Sequence, residues 1–303
     1  PYAAGAVTAT PTRPLDRLRT DLGRGIRQML AGDDEPPTRP VPIGDDPGLF
    51  GPDSATWEVH GDAAMVVGGL RALLLQTLHP PTMAGVADHS TYRTDPLGRL
   101  HRTSRFIGAT TFGSTEEAEQ AIAAVRRIHT RITGTTPDGA PYDATDPHLL
   151  QWVHCTEIDS FLRARERYGA TPLGPGRSDR YVDEMAVVAE RLGVVDPPRS
   201  RAELRRTLSS YRPELAVGRQ ARETVRFLAW PPLPLAARPA YAVTFTAAVS
   251  MLPGFARRRL WLPVAPLAEP LAIRPAATVL LRTLGWALGE HPSIAEATEA
   301  AAS

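Results

Sequence analysis

Apolar residues recur three and four positions apart along almost the whole chain, and prolines interrupt the pattern at intervals. We find no run with the strict alternation of polar and apolar residues that marks a half-buried strand. The pattern therefore predicts an all-α protein. Of the 303 residues, 43% are hydrophobic and 22% are charged, which is typical of soluble globular proteins. We expect one large multi-helix domain over 15–290, between a loose N-terminal tail, 1–14, and a C-terminal tail, 291–303.

The strongest helical segment is predicted over 54–79. It is apolar around most of its circumference, so we expect it to be buried at the centre of the domain. Pro80 and Pro81 should end it, because proline cannot continue a helix. A surface loop rich in Pro, Gly and Asp is predicted over 33–53. The other helices are predicted over 15–30, 98–113, 115–134, 146–168, 178–192, 200–211, 214–228, 233–251, 254–260 and 266–288.

The single cysteine, Cys155, excludes an intrachain disulfide, cysteine-rich zinc sites and cysteine-ligated iron–sulfur clusters. No base lies near it at the spacing of a nucleophile, so a buried, inert thiol is expected. The 34 basic side chains are all arginine and face 33 acidic ones, giving a net charge of +1. This balance argues against nucleic acid as the main partner. Histidine, arginine and carboxylates are left to carry the chemistry.

Targeting signals are weak in this sequence. Residues 1–14 lack the charged start and apolar run of a signal peptide, and the missing initial methionine leaves open whether a segment was trimmed. The stretch 228–252 contains Arg238 and several prolines, so we interpret it as broken core helices and expect no transmembrane segment. A cytoplasmic protein is expected, with membrane association as the alternative.

His129 is the first candidate for a functional residue. It shares a helix face with Ile122, Val125 and Ile132, while the arginines around it point away. A histidine on a core-facing stripe needs partners for its ring nitrogens. The structural interpretation is a buried histidine bonded to a backbone carbonyl. The functional interpretation is an axial ligand to haem iron, held in an apolar slot between helices.

A second candidate is the stripe formed by Arg99, Arg102, Thr103 and Phe106. Two guanidinium groups and a hydroxyl beside an aromatic ring are unusual for a core-facing side of a helix. These arginines are either solvated, as arginines normally are, or they bind an anionic group such as a haem propionate or a carboxylate. The sequence leaves both alternatives open.

His154 and Glu157 stand three residues apart, so both could reach one metal ion. Two ligands fall short of a metal site, and such a pair is more often a local polar contact. The remaining histidines are expected at helix ends and loops, or at surface and capping positions. The first group is His79, His89 and His101, and the second is His60, His148 and His291. Tyr142 and Asp146 are expected to organise a turn and a helix cap, and no phosphate-binding glycine loop is present in the sequence.

The order of short motifs along the chain is more specific than any one of them. They are RALLLQTLHP (71–80), GVADHS (85–90), DPLGRLHRT (95–103), VRRIH (125–129) with Gly134, YDATDP (142–147), WVH (152–154) and LPGFAR (252–257). This succession resembles the MpaB and rubber oxygenase (latex-clearing protein) family, which is also described as a domain of unknown function in actinobacterial proteins. The resemblance covers about 57–262.

The resemblance implies an all-helical fold that holds haem b, and an oxygenase that cleaves isoprenoid carbon–carbon double bonds. His129 matches the iron-ligating histidine, Arg99 and Thr103 match distal residues, and His154 matches a recurrent position that we interpret as a supporting residue. Rubber oxygenases carry a lysine at the position of Arg102. Arginine is always protonated and cannot ligate iron, so we expect an open or water-occupied distal position and a substrate other than rubber.

The sequence therefore predicts a haem b-dependent oxidoreductase, an oxygenase that uses dioxygen or peroxide on a hydrophobic small molecule. Arg99 would stabilise the negative charge that develops on dioxygen or peroxide, and Thr103 would position a water or a proton. One alternative is a helical protein that binds haem or another lipophile without turnover. A further alternative is a non-haem iron enzyme that uses His154 and Glu157.

Overall fold

The computed structural model describes residues 14–32, 42–265, 267–289 and 291–302. Its elements confirm the all-α prediction. The helices are α1 (Pro14–Ala31), α2 (Ala55–His60), α3 (Met65–Gln76), α4 (Pro80–His89), α5 (Pro96–Phe112), α6 (Thr115–His129), α7 (Pro147–Tyr168), α8 (Arg177–Leu192), α9 (Arg201–Ser210), α10 (Arg219–Ala229), α11 (Arg238–Ser250), α12 (Gly254–Arg259), α13 (Arg274–Leu288) and α14 (Pro292–Ala302). A 3₁₀ turn (Leu235–Ala237) precedes α11, and a π turn (Glu269–Ile273) leads into α13.

The centre of the fold is the contact between α3 and α7, which pack along their lengths. They approach closely at Gly68, where a Cβ atom would lie 3.0 Å from the Cα of Phe161. Helices α11 and α13 cover the other side of α3 and of α7, while α8 packs against α2, α6 and α7. This arrangement places α7 between two groups of helices, so that most of its side chains are buried.

The predicted helix over 54–79 is wrong in one respect, because the chain breaks it into α2 and α3. Ser54 caps α2 as expected, accepting a hydrogen bond from the Trp57 amide at 3.1 Å. The break falls at Gly61 and Asp62, where Asp62 Oδ1 accepts a hydrogen bond from the Ala64 amide at 2.8 Å. A side chain that bonds its own backbone competes with the helix, and glycine adds its own conformational cost.

Pro80 and Pro81 were expected to end a helix, and they also begin one. Helix α3 ends at Gln76, and both prolines occupy the first turn of α4, where a missing amide hydrogen costs no helical bond. The sequence analysis predicted no helix over 80–89. As a consequence His79 is the N-cap residue of α4, with its side chain 2% exposed.

A two-stranded antiparallel hairpin, which the sequence analysis missed, connects α6 to α7. It pairs β1 (Thr133–Thr135) with β2 (Pro141–Asp143), and Gly134 lies opposite Tyr142. Each strand has three residues, which is too short to display an alternating pattern. The hairpin also shortens the predicted helix over 115–134, because α6 ends at His129.

The ends of the chain differ in how much of them the structure describes. Residues 1–13 of the predicted N-terminal tail and residues 33–41 of the predicted loop lie outside the described residues. The segment expected to be a C-terminal tail contains α14, and the ring of His291 stacks on Phe112 with 3.9 Å between centroids. Ile294 and Ala297 pack against the core beside it. His291 is therefore a packed residue, and its expected capping position is confirmed, because its Nδ1 atom accepts a hydrogen bond from the Ser293 amide at 3.3 Å at the start of α14.

One helical stretch of the described residues, Glu269–Leu288, is long and apolar enough to cross a membrane when judged by length and composition alone. Its mean hydropathy is 1.2 and 17% of it is buried inside the protein. The stretch 228–252, interpreted from the sequence as broken core helices, contains α11 with Ala247, Ala248 and Val249 buried. The apolar stretch Glu269–Leu288 lies instead in the helix predicted over 266–288.

Candidate functional site

Helix α6 presents His129 at its last residue. A capping box fixes the start of this helix, because the Ser114 and Glu117 side chains each bond the other residue's backbone amide. Among the described residues, the His129 side chain has no hydrogen-bond partner, and its Nδ1 atom is buried. Burial lowers the pKa of His129, so the ring is neutral at pH 7. A neutral imidazole with free nitrogens is the form that binds a metal ion.

Helix α7 carries a second buried imidazole, His154. Its Nε2 atom is buried and unpartnered in the part of the chain that the structure describes, and burial lowers its pKa to about 4. Glu157 lies one turn further along, where burial raises the pKa of its carboxyl to about 7. One helix face therefore holds a base that stays neutral and an acid that titrates near neutral pH.

A hydrogen-bonded chain adjoins Glu157. His60 Nδ1 lies 2.7 Å from the Thr111 hydroxyl, and His60 Nε2 lies 2.9 Å from the Tyr181 hydroxyl. Burial lowers the pKa of His60 to about 3, so one ring nitrogen donates and the other accepts. Burial raises the pKa of Tyr181, and the negative charge of Glu157 adds to that effect. His60 was expected at the surface or in a cap, and this expectation is wrong because α5 and α8 enclose it.

The four residues of α5 that were predicted to share one helix face differ in their exposure to solvent. Arg99 and Phe106 are half-buried, whereas Arg102 and Thr103 are exposed. The Arg102 guanidinium bonds the Thr91 hydroxyl at 2.9 Å and pairs with the Asp95 carboxylate at 3.3 Å. The Thr103 hydroxyl donates to the backbone carbonyl of Arg99 at 3.1 Å. The two exposed residues are thus engaged on the outside of the helix.

The guanidinium of Arg99, in contrast to that of Arg102, makes no such contacts. Within residues 14–32, 42–265, 267–289 and 291–302, its guanidinium has neither a hydrogen-bond nor an ion-pair partner. Burial lowers the pKa of Arg99, and the nearby charge of Arg102 acts in the same direction while Tyr92 opposes it. The group nevertheless stays protonated at pH 7. A half-buried cation without a counterion is suited to an anionic or strongly polar ligand.

Arg99 and His129 lie on two consecutive helices, α5 and α6. The two helices pack against each other and are joined by Gly113 and Ser114 alone. Arg99 lies about four turns before the end of α5, and His129 lies about four turns after the start of α6.

Three further side chains converge at a place where the sequence predicts no site. His148 Nε2 lies 2.7 Å from Glu214 Oε2, and His79 Nε2 lies 3.4 Å from the same oxygen. These residues stand far apart in the sequence, and His148 was expected at a surface or capping position. The spacing of these three residues along the chain does not predict that they cluster, because tertiary packing brings them together.

The expected cap of α7 is confirmed, because Asp146 accepts a hydrogen bond from the His148 amide at 2.8 Å. Tyr142 lies in strand β2 and not in a turn, and it donates its hydroxyl to Asp88 of α4 at 2.7 Å. Cys155 is a free, buried thiol, and burial raises its pKa to about 12. A thiol with so high a pKa is not a nucleophile at neutral pH.

Comparison with known proteins identifies the family to which the chain belongs. The model of the family described as ER-bound oxygenase mpaB/B'/rubber oxygenase, catalytic domain, matches residues 57–289. The comparisons with curated proteins and with solved structures gave no match. The matched segment runs from α2 to the end of α13, and so contains Arg99, His129, His154 and Glu157. The chain belongs to the family of the mpaB and rubber oxygenase catalytic domains.

Proposed function

We propose that the protein is a haem-dependent oxygenase that acts on an apolar, unsaturated small molecule. The observation that carries the proposal is the imidazole of His129, whose buried Nδ1 atom has no partner among the described residues. An unpartnered polar atom in the interior costs free energy, on the order of 1–3 kcal/mol, unless a bound group satisfies the side chain. Membership of an oxygenase family indicates what kind of group that is.

The residues present fit a haem group by the chemistry of their side chains. His129 would supply a neutral imidazole to the haem iron, and Arg99 would supply a cation for a propionate or for the polar end of a reactant. Val125 and Phe106, half-buried on the same two helices, supply apolar surface. When bound, haem supplies the activation of dioxygen or peroxide that side chains alone do not provide.

Arg102 and Thr103 are proposed as outer residues of the same site. Arg102 is held by Asp95 and Thr91 on the exposed side of α5, and its guanidinium is always protonated, so it cannot act as a ligand to iron. Thr103 bonds the carbonyl of Arg99 and thereby orients the backbone that carries this arginine. Arg99 would then offer a cation, and Arg102 would offer no ligand to the iron, which favours a small polar reactant beside an apolar substrate.

Glu157 is proposed to hold and move a proton. A carboxyl group with a pKa of about 7 is half-protonated at neutral pH, so Oε1 or Oε2 can give or take a proton in that range. His154, one turn away, stays neutral and offers its buried Nε2 as an acceptor. Tyr181 and His60 continue the polar chain towards α5.

The test is an absorption spectrum of the full chain, purified after expression with a haem precursor in the medium. We expect a Soret band with about one haem per chain, and its loss in His129→Ala. His101→Ala is the matched control, since His101 lies on α5 and bonds the backbone carbonyl of Met29 at 3.2 Å. A wild-type chain that stays colourless after supplementation with haem would overturn the proposal.

The second candidate function is binding of haem or another lipophile without turnover. It is favoured by Arg102, which replaces a lysine of the rubber oxygenases. Dioxygen consumption separates the two candidates, and squalene is a suitable apolar, unsaturated probe. Consumption that depends on squalene and disappears in His129→Ala supports the oxygenase, whereas a haem-loaded chain that consumes no dioxygen supports the binding protein.

A further inference from the structure

We propose that His79, His148 and Glu214 form a binding site for one divalent transition metal ion, with Zn²⁺ as the representative ion. One donor atom from each residue, two imidazole Nε2 atoms and one carboxylate oxygen, lies within 4.8 Å of the others. These residues lie on elements other than those of Arg99 and His129. The site therefore does not depend on the haem proposal.

The spacing of the donor atoms is close to that of a metal's ligands. Zinc binds imidazole nitrogen and carboxylate oxygen at about 2.0–2.2 Å, which in a tetrahedron separates neighbouring ligand atoms by roughly 3.3 Å. The distance from His79 Nε2 to Glu214 Oε2 is 3.4 Å. The distance from His148 Nε2 to the same oxygen is 2.7 Å, so this pair needs to open by a few tenths of an ångström on metal binding.

The positions of the protons on the two imidazole rings are also compatible with a bound cation. Both Nε2 atoms are directed at one carboxylate oxygen, so without a metal each has to carry a proton for the contact to be favourable. A single divalent ion replaces both protons and binds all three donors. His79 then carries its proton on Nδ1 and donates to the Thr82 hydroxyl, which lies 2.9 Å away. Ligand histidines in metal sites are oriented by such a bond on the other nitrogen.

The backbone holds the three residues in place from separate elements. His79 is the N-cap of α4, His148 lies in the first turn of α7, and Glu214 lies in the turn after α9. The turn is tied to the start of α4 by a hydrogen bond from the Ala216 amide to the Leu78 carbonyl at 2.8 Å. A metal ion would thus join three parts of the chain that are already neighbours, which lowers the ordering cost of binding.

Aromatic rings fix the orientation of both imidazoles. The His148 ring stacks on Tyr211 with 4.5 Å between centroids, and the His79 ring lies 5.8 Å from Trp152. Tyr211 donates its hydroxyl to the His148 carbonyl at 2.7 Å, which anchors the stacked ring. Ligands whose rotamers are locked by packing and hydrogen bonds form more precise metal sites than free side chains.

The site has an open side. His79 and Glu214 line a depression of about 250 Å³, together with Pro80, Pro81, Thr136, Asp138 and Ala140. A site with three protein ligands and one open position accepts a water or a substrate group as the next ligand. Asp138, on the loop of the β1–β2 hairpin, faces the depression and adds negative charge that favours a cation.

The test is isothermal titration of the full, tag-free chain with Zn²⁺. We expect one equivalent to bind to the wild type, and binding to weaken at least about 10-fold in His148→Gln and in Glu214→Gln. Both side chains are about half exposed, at 49% and 43%, so these substitutions leave the core intact. His79 is not substituted, because it is buried and its replacement would disturb the core.

Matched controls come from neighbouring elements. His89→Gln removes an exposed histidine of α4, and Glu223→Gln removes a glutamate of α10 that pairs with Arg93 at 3.1 Å. Both controls should bind Zn²⁺ as the wild type does, and so should His129→Ala, which separates this site from the haem site. A wild type that binds no Zn²⁺ would overturn the proposal. Unchanged binding in His148→Gln and Glu214→Gln would overturn it as well.

Discussion

Arg71 and Asp159 form an ion pair in the interior, with 2.8 Å between Nη2 and Oδ2 and side chains that are 1% and 9% exposed. Arg71 also donates Nη1 to the Ser160 hydroxyl at 2.6 Å and Nε to the Met251 carbonyl at 3.1 Å. Its guanidinium therefore ties α3 to α7 and to the end of α11. Because the surroundings exclude water, the charge of Arg71 depends on Asp159 as its main counterion.

Asp159→Asn is expected to destabilise the protein by about 3–5 kcal/mol, because it leaves a buried guanidinium without its counterion. Urea unfolding followed by circular dichroism measures the change. Asp183→Asn is the control, since Asp183 pairs with Arg199 at 2.8 Å on the surface and is 57% exposed. That variant should lose at most about 1 kcal/mol. Equal losses in the two variants would contradict the role of the interior pair.

Two adjacent glycines of α3 are expected to respond to alanine with opposite signs. A Cβ at Gly68 would lie 2.8 Å from Phe161 Cδ1, 3.0 Å from Phe161 Cα and 3.1 Å from the Ser160 carbonyl oxygen. The last two atoms belong to backbone, so α3 and α7 have to move apart. A Cβ at Gly69 would meet no described atom within 4 Å.

Gly68→Ala should therefore lower the free energy of unfolding by about 1–3 kcal/mol, the cost of overpacking a core. Gly69→Ala should raise it by about 0.5–1 kcal/mol, because alanine loses less conformational entropy than glycine in a helix. Thermal unfolding of the two variants beside the wild type is the measurement. A loss of stability in Gly69→Ala, or none in Gly68→Ala, would show that the helices do not approach at this point.

The sequence predicted those parts of the fold that local rules determine. The bounds of α5, α8 and α9 differ from the predicted ones by one or two residues, because caps and prolines mark helix ends in the sequence itself. The break between α2 and α3 was not predicted, since the apolar pattern continues across Gly61 and Asp62. There a local hydrogen bond of Asp62 overrides the pattern.

The candidate site also contains some residues that the sequence predicts and others that only the three-dimensional fold brings together. His129 and Arg99 lie on helix faces that the sequence predicted, and their side chains have no hydrogen-bond or ion-pair partner among the described residues. The burial of His60 and the convergence of His79 with Glu214 depend on helices that meet only in three dimensions. Neither periodicity nor spacing along the chain carries information about such contacts.

Glu157→Gln is expected to change how stability depends on pH. The folded protein raises the pKa of Glu157 from 4.5 to about 7, so the folded state binds the proton more tightly than the unfolded state. This group therefore destabilises the fold as the pH rises from about 4.5 to 7, by roughly 3 kcal/mol in total. His154 acts in the opposite direction: its pKa falls from 6.5 to about 4, so its contribution to stability grows as the pH rises through that window.

Because glutamine carries no charge at any pH, Glu157→Gln should match the wild type near pH 4 and exceed it by roughly 3 kcal/mol at pH 8. Urea unfolding at several pH values from 4 to 8 measures the difference. Glu203→Gln, on α9 with a side chain that is 47% exposed, is the control and should show no such trend. A constant difference between Glu157→Gln and the wild type across this range would mean that the carboxyl does not titrate as described.

Arg99→Leu is expected to reduce activity much more than Arg102→Leu, although each substitution removes one positive charge from α5. The Arg99 guanidinium is half-buried without a partner among the described residues, whereas Arg102 is 60% exposed and paired with Asp95. If Arg99 stabilises negative charge that develops during turnover, Arg99→Leu should reduce kcat for squalene-dependent dioxygen consumption by about 10²–10³. Arg102→Leu should change it less than about 10-fold, because it removes an exposed contact at the edge of the site.

Stability distinguishes this role of Arg99 from a structural one. The Arg99 side chain makes no hydrogen bond or ion pair within the described residues, so Arg99→Leu should leave the thermal midpoint unchanged or raise it. A functional residue whose removal costs activity without costing stability is one whose interactions are made with a ligand. Arg99→Lys keeps the charge but loses the planar donor fork, and it should recover part of kcat. A lower thermal midpoint in Arg99→Leu, or losses of kcat equal to those of Arg102→Leu, would show that Arg99 supports the fold and does not act in turnover.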